Sequence, residues 1–337
     1  MSSLPKVTVL SLGGTIASAP AARGNRASPI LSADDITASV PGLRGLAELE
    51  LRDVARLPSI DVTFELAMTV ADMAREAESA GSTGVVITQG TDTLEEMAFC
   101  VDLLLGGEMP VAMTAAMRHA GLVGNDGPAN LLDAVRTVIS PLARGLGCLV
   151  VLNEEIHSAR AVRKMHTSSP AAFQSPSVGP VGWIVEGVPH LRDRPFPRVT
   201  IRPPRGATLV RPPLMKIVFD DDGWWISRIH EMGARGLVLE AMGGGHVPGR
   251  LATSIAELAR SIPVLLTSRT GGGEVLRATY DAFPGSETWL IDAGLIPAGS
   301  LDSLKARVLL GLLLTDGASR DRIESVVATL GSPARSA

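Results

Sequence analysis

Two threonines, each delivered by an apolar run into a glycine turn, are the side chains in this sequence best placed for nucleophilic chemistry. Val85-Val86-Ile87-Thr88 leads through Gln89 and Gly90 into Thr91-Asp92-Thr93-Leu94-Glu95-Glu96. The stretch reads as a buried strand, a tight turn and a helix opening, with Asp92 as the expected N-cap and Glu95 completing a capping box. Gly90 permits the sharp turn, and free backbone N–H groups at the new helix can hold an anion. A hydroxyl, Thr91, and a carboxylate, Asp92, are thus set at the carboxyl end of a strand, where ligand sites of open α/β sheets lie. Near the start of the chain Val7-Thr8-Val9-Leu10-Ser11-Leu12 runs into Gly13-Gly14-Thr15-Ile16-Ala17 in the same manner. Any strand–turn–helix joint has this local form, so the pattern alone names no reaction.

The elements that must position these turns alternate along the chain. Strand patterns at 49–57, 110–114 and 149–153 are interleaved with helical periodicity at 32–40, 64–80, 94–105 and 130–139. Such alternation specifies parallel βαβ units. Asp126-Gly127-Pro128 opens the helix before 139, with proline tolerated in the first turn. The alternation recurs on a smaller scale after residue 214, with strands expected at 216–219, 236–240 and 263–267 and helices near 251–261 and 301–314. The expected fold class is therefore α/β with two domains: a larger N-terminal doubly wound, mainly parallel sheet flanked by helices, and a smaller C-terminal α/β domain with a parallel sheet. Boundaries are expected at 1–190 for the first domain and 215–337 for the second. Between them, 191–214 reads as a stiff extended linker on the strength of Pro195, Pro197, Pro203, Pro204, Pro212 and Pro213. Two further stretches read as loops: 17–31, low in complexity and mobile, a lid or a plain loop, and the polar segment 160–176. The last residues, 332–337, read as frayed.

Composition removes several classes of function. A chain of 337 residues is long for a single core, which agrees with two domains. The net charge of −4 argues against a nucleic-acid partner, which calls for a basic patch. The two cysteines, Cys100 and Cys148, lie in apolar patterns and read as buried thiols instead of a disulfide framework. The six histidines (119, 157, 166, 190, 230, 246) show no ligand spacing, so no metal and no cofactor are expected. The apolar run 308–314 is too short to span a bilayer, and no secretory h-region precedes Gly13. A cytoplasmic protein without a membrane partner is expected.

Taken in order, Gly13-Gly14-Thr15-Ile16-Ala17, Gly90-Thr91-Asp92-Thr93-Leu94-Glu95-Glu96, Ala115-Ala116-Met117-Arg118 with Asn125-Asp126-Gly127-Pro128-Ala129-Asn130, and Lys164 before Phe173-Gln174-Ser175-Pro176 resemble the bacterial-type L-asparaginase (asparaginase/glutaminase) family. Each motif is modest by itself, but the ordered set covers nearly the whole chain. The resemblance implies an amidohydrolase that converts L-asparagine to aspartate and ammonia through a threonine-linked acyl-enzyme. Thr15, Thr91, Asp92 and Lys164 are then the catalytic residues. Ser59, Gly14, Gly90, Asp92, His246 and Glu287 are the substrate-binding ones. Read without the resemblance, Lys164 is a solvated loop lysine, Ser59 a helix cap and His246 an ordinary loop histidine. The resemblance also implies a homo-oligomer, a dimer of dimers, with C-terminal residues of a neighbour completing each site.

The chain departs from the family pattern at three points. Ile60 stands where glutamine often follows the serine, and His119 where proline often follows the arginine. The 17–31 loop lacks the family's tyrosine, since Tyr280 is the sole tyrosine of the chain. Ser18, Arg26, Ser28 and Tyr280 are the candidate substitutes. Chemically, an amide is hard to cleave in one step, and an acyl intermediate divides the barrier. A threonine hydroxyl needs a base beside it. A lysine supplies one when burial disfavours its ammonium, whereas a close carboxylate favours the charged form. The alternatives are a glutaminase-asparaginase or an amidase on a related small amide, since one methylene changes binding by only about 1–3 kcal/mol. From other classes stand a non-catalytic relative and a nucleotide-binding α/β protein, the latter lacking any G-x-G-x-x-G or P-loop spacing.

Overall fold

The computed structural model describes residues 3–20, 27–29, 31–192, 196–281 and 283–332. The chain divides into two compact units, Met1–Pro195 and Phe196–Ala337.

In the first unit, apolar runs become strands buried on both faces, as a parallel sheet covered by helices requires. These are β1 (Lys6–Gly13), β5 (Gly84–Thr88), β6 (Val111–Thr114) and β7 (Cys148–Leu152). At the edge, β4 (Glu48–Leu57) is half-exposed along its length and carries Glu50 and Arg52 outward. Among the described residues the sheet has eight strands, in the order Val188–Leu191, Gly182–Val185, Glu155–Ser158, β7, β6, β5, β1, β4. The run from β4 to β7 is parallel. Counting only those parallel strands, the spatial order is second, first, third, fourth, fifth. The winding direction therefore reverses at β1, and a crevice opens at the carboxyl ends of β1 and β5, the switch point where ligands settle in such sheets. Ser11 pairs with Thr88, so the two strands end in step. The crossover helices are α1 (Ala33–Ala38) and α2 (Leu43–Leu46), then α3 (Phe64–Ser79), α4 (Leu94–Leu105) and α5 (Gly127–Ile139).

Three antiparallel strands extend the sheet beyond β7: β8 (Glu155–Ser158), β11 (Gly182–Val185) and β12 (Val188–Leu191). Both tight turns place two residues at positive φ, Asn153 and Glu154 in one and Glu186 and Gly187 in the other, as two-residue hairpins favour.

Two segments expected as loops contain ladders. Ser18–Pro20 (β2) pairs antiparallel with Ala27–Pro29 (β3). Residues 21–26 and 30 of that expected lid, including Arg26, lie outside the described residues, as do 333–337 of the expected frayed tail. Arg163–Lys164 (β9) pairs antiparallel with Phe173–Gln174 (β10). The polar composition of 160–176 hides this hairpin, because within its two strands only Phe173 is buried.

Among the described residues the second unit has a four-stranded parallel sheet in sequential order: β13 (Leu214–Lys216), β14 (Leu237–Ala241), β15 (Val264–Ser268), β16 (Ile296–Pro297). Its helices are α6 (Trp225–Glu231), α7 (Gly249–Ser261), α8 (Glu287–Asp292), α9 (Ser303–Thr315) and α10 (Arg320–Gly331). The strand expected at 216–219 ends early. Val218 and Phe219 are exposed, Asp220 has φ 57°, and the Asp221 carboxylate accepts from the Gly223 N–H and the Trp225 indole, turning the chain into α6. Within the proline-rich stretch Ile201 is fully buried and the Val210 N–H donates to Thr315 Oγ1 at 3.0 Å.

Candidate functional site

At the end of β1 the backbone turns through Gly13 and Gly14, with φ of 98° and 82°, into a 3-10 turn over Thr15–Ala17. Both angles are in the region that only glycine enters without strain. Gly14 faces Gly90 at the end of β5, and the two backbones are in contact: a Cβ on Gly14 would stand 2.0 Å from Gly90 N. Thr15 and Thr91 therefore each follow a glycine of this contact. Thr15 is half-buried and its hydroxyl has no hydrogen-bond partner among the described residues, while Thr91 is buried.

Lys164 joins this turn from the β9–β10 hairpin. Its Nζ donates to Thr91 Oγ1 at 2.9 Å and to Asp92 Oδ1 at 2.6 Å. The lysine side chain is 16% exposed and that of Asp92 59%, so Nζ is enclosed while the carboxylate keeps an accessible side. The hairpin is pinned beneath: Phe173, the ladder partner of Lys164, is buried, and Ser175 Oγ lies 3.0 Å from Nδ1 of the fully buried His157. Burial pushes the His157 imidazole down to about 4, so it stands there as a neutral group. Its Nε2 lies 3.3 Å from Glu155 Oε2 but without hydrogen-bonding geometry.

The expectation that Asp92 caps α4 is corrected. The N-cap position is Thr93, with no side-chain cap, and the Asp92 carboxylate turns to Lys164 instead. An ammonium is a stronger partner for a carboxylate than a helix-end amide, and the Asp92 N–H is taken by Ser59 Oγ at 3.1 Å. Ser59 itself is buried and does not cap α3, whose cap is Thr63 Oγ1, accepting from Leu66 N. Ile60, beside it, is 68% exposed.

The motif at 125–130 holds the neighbouring loop. Asp126 accepts from the N–H groups of Met117 and Arg118, and Asn130 Nδ2 donates to Ala115 O while its Oδ1 accepts from Asn153 N. These residues tie the ends of β6 and β7 to α5. Sequence reading misses their role, as it misses Gln89 and His157. The available signal is a lone polar residue at the end of an apolar strand, which a buried site must satisfy.

In the second unit, His246 and Glu287 are brought together with Tyr280. His246 Nε2 lies 2.9 Å from Glu287 Oε2, and Glu287 Oε1 accepts from the N–H groups of Thr279 at 3.3 Å and Tyr280 at 3.1 Å. The Tyr280 ring meets the imidazole edge-on, centroids 4.8 Å apart. Burial pushes the Glu287 carboxyl up, but its own N–H, that of Tyr280, the imidazole and Thr279 N–H together draw it below the usual carboxylate range. Of the candidate substitutes for a loop tyrosine, Ser18 Oγ is committed as donor to Gly14 O at 2.8 Å. Among the described residues no helix is long and apolar enough to cross a membrane.

Comparisons with known proteins bear on the family and fold of the chain. The family model for the asparaginase N-terminal domain matches residues 6–196, and that for the glutaminase/asparaginase C-terminal domain matches 213–327. A probable L-asparaginase of Deinococcus radiodurans is 39% identical over 96% of this chain and 97% of its own. A glutaminase-asparaginase of Pseudomonas aeruginosa is 30% identical over 93% and 87%. The crystal structure of a probable cytoplasmic L-asparaginase from Campylobacter jejuni superposes with a TM-score of 0.86, at 29% identity over 96% of this chain and 99% of that one.

Proposed function

The chain belongs to the asparaginase family, and from that premise we propose that it hydrolyses the side-chain amide of L-asparagine to aspartate and ammonia through a threonine-linked acyl-enzyme. The observation that carries the mechanism is Lys164 Nζ set 2.9 Å from the Thr91 hydroxyl and 2.6 Å from the Asp92 carboxylate.

Thr15 Oγ1 attacks the amide carbon and gives up its proton as the tetrahedral oxyanion forms. Backbone N–H groups of the Gly90 turn stabilise that oxyanion, a contribution of about 3 kcal/mol per donor. Collapse breaks the C–N bond as the proton given up by Thr15 is delivered to the amide nitrogen, so ammonia leaves and an ester to Thr15 remains. With Lys164 as the neutral amine, Thr91 takes a proton from water and passes its own to Nζ. The water oxygen bonds to the ester carbon, the bond to Thr15 Oγ1 breaks as that proton is returned to it, and aspartate is released. Ser59 holds the substrate α-carboxylate, and the accessible side of Asp92 holds its α-ammonium. Gly14 and Gly90 shape the floor of the pocket.

His246 and Glu287, with Tyr280 beside them, complete the site of a neighbouring subunit in a homotetramer built of two intimate dimers. Tyr280, beside His246, is one candidate for the part of a loop tyrosine in activating Thr15, and unchanged turnover in Tyr280→Phe removes it. A cytoplasmic location follows the likeness to the probable cytoplasmic L-asparaginase of Campylobacter jejuni. Glutamine is a second substrate to weigh, because some relatives are glutaminase-asparaginases.

The deciding experiment measures ammonia from L-Asn, D-Asn and L-Gln with wild type and Thr15→Ala. Release from L-Asn that the mutant abolishes is the expected result. No release from any amide overturns the proposal, and comparable rates on L-Gln make the enzyme a glutaminase-asparaginase.

A further inference from the structure

Gln89 directly follows Thr88, the last residue of the apolar strand β5, and is 1% exposed. Its backbone N–H continues the ladder to Thr114 O at 3.1 Å, so the residue is locked in the sheet. Its side-chain Nε2 donates to Thr93 Oγ1 at 3.1 Å, and the Thr93 hydroxyl donates onward to the carbonyl of Ser59 at 2.7 Å. A hydroxyl has a single proton to give. With that proton spent on Ser59 O, Thr93 can only accept from the side facing Gln89, which fixes the carboxamide with its nitrogen toward Thr93. The opposite end, Oε1, is buried with no partner. A buried carbonyl left unsatisfied is a cost that a strand end would shed by carrying an apolar residue. The donor end is thus the one that makes the bond at this position.

The second half of the grip acts on the serine hydroxyl. Ser59 Oγ accepts from Asp92 N at 3.1 Å, which settles one lone pair, and it abuts the bare Cα of Gly90, where a Cβ would stand 2.8 Å away. Ser59 is held by its carbonyl through Thr93 and by its hydroxyl oxygen through Asp92 N–H. Its one O–H proton is uncommitted.

We propose that Gln89 and Thr93 are positioning residues that aim the Ser59 hydroxyl, and that through it they set the preference for amides bearing an α-carboxylate. The proposal rests on the reading of Ser59 as the carboxylate contact. Gln89 and Thr93 make no hydrogen bond to Thr15 among the described residues, and the further contact of Gln89 Nε2 with Gly90 O is long, at 3.4 Å. Losing their relay lets the Ser59 peptide rotate, and the hydroxyl proton no longer meets the carboxylate.

The test is steady-state kinetics on L-Asn together with the inhibition constant of L-aspartate, for wild type, Thr93→Val, Thr93→Ser and Gln89→Met. Thr93→Val and Gln89→Met are expected to raise both the KM for L-Asn and the Ki of L-aspartate about tenfold, the size of one charge-assisted hydrogen bond. The kcat should stay within about twofold, since chemistry-step interactions are untouched. Thr93→Ser, which keeps the hydroxyl, is expected to restore wild-type values. The proposal is overturned if kcat falls while KM and Ki hold, or if Thr93→Ser behaves like Thr93→Val. Should Thr93→Val fail to fold, Gln89→Met gives the same split. Absence of ammonia release by the wild type is the separate outcome that removes the function itself.

Discussion

Gly14 and Gly90, 76 positions apart in the sequence, are in backbone contact, with room for no side chain between them: a methyl on Gly14 would lie 2.0 Å from the Gly90 nitrogen and 2.2 Å from its Cα. This contact joins the ends of two neighbouring parallel strands and so determines the separation of the threonines that follow. Gly14 also has φ +82°, and both constraints act at one residue.

Gly14→Ala is therefore expected to destabilise far more than a substitution that meets strain alone. Gly81 is the control, with φ +86° and nothing within 4 Å of where an added methyl would stand. Gly81→Ala should cost about 1 kcal/mol, the left-handed penalty. Gly14→Ala should cost about 3 kcal/mol or more, since backbone atoms must move. Urea denaturation of both variants checks the difference, and equal midpoints refute it.

Lys164→Met removes the amine while keeping the length of the side chain. Turnover of L-Asn should fall about 10³-fold, within the range of general acid–base catalysis. Lys164→Arg should not rescue, because a planar guanidinium that stays charged cannot pass a proton. Thermal denaturation should change little in either variant, which separates lost chemistry from lost fold.

His157 supplies a pH dependence of stability. The folded imidazole sits at about 4 because burial disfavours its charge, against about 6.5 in the unfolded chain. Between those values the unfolded chain binds a proton that the folded chain refuses, so stability falls as pH drops from about 6.5 toward 4 and is unaffected above. The full loss is about 3 kcal/mol. Plotting unfolding free energy against pH for wild type and His157→Gln should show a flatter acid limb in the variant, and parallel limbs would dismiss this account.

Glu287→Ala strips acceptors from two buried-side N–H groups and from His246. About 2–3 kcal/mol of destabilisation is expected, the cost of leaving such donors unmatched. A stability within error of wild type would mean that water satisfies them.

Much of the architecture is legible in the sequence because it is encoded locally. The parallel strands and crossover helices follow from apolar runs and helical periodicity, and the glycine turns from the residue type itself. β8, β11 and β12 escape such a reading, since short strands with mixed polarity carry little periodicity. The β9–β10 hairpin reads as a loop for the same reason. Beyond the apolar pattern, only pairing with a partner strand makes such segments regular.

At the site, sequence by itself determined the inventory: two threonines after two strands, an aspartate, a lysine further on, a serine before a helix, and in the second unit His246, Glu287 and Tyr280. Tertiary structure alone decided who pairs with whom. Asp92 had an adequate partner in its own helix end, yet it faces Lys164 from a hairpin 72 residues away. His246, Tyr280 and Glu287, unrelated by any periodic spacing, form one cluster around a buried carboxylate. The physical reason is competition: a polar group takes the strongest donor within reach, and chain folding, not sequence neighbourhood, settles which donors come within reach.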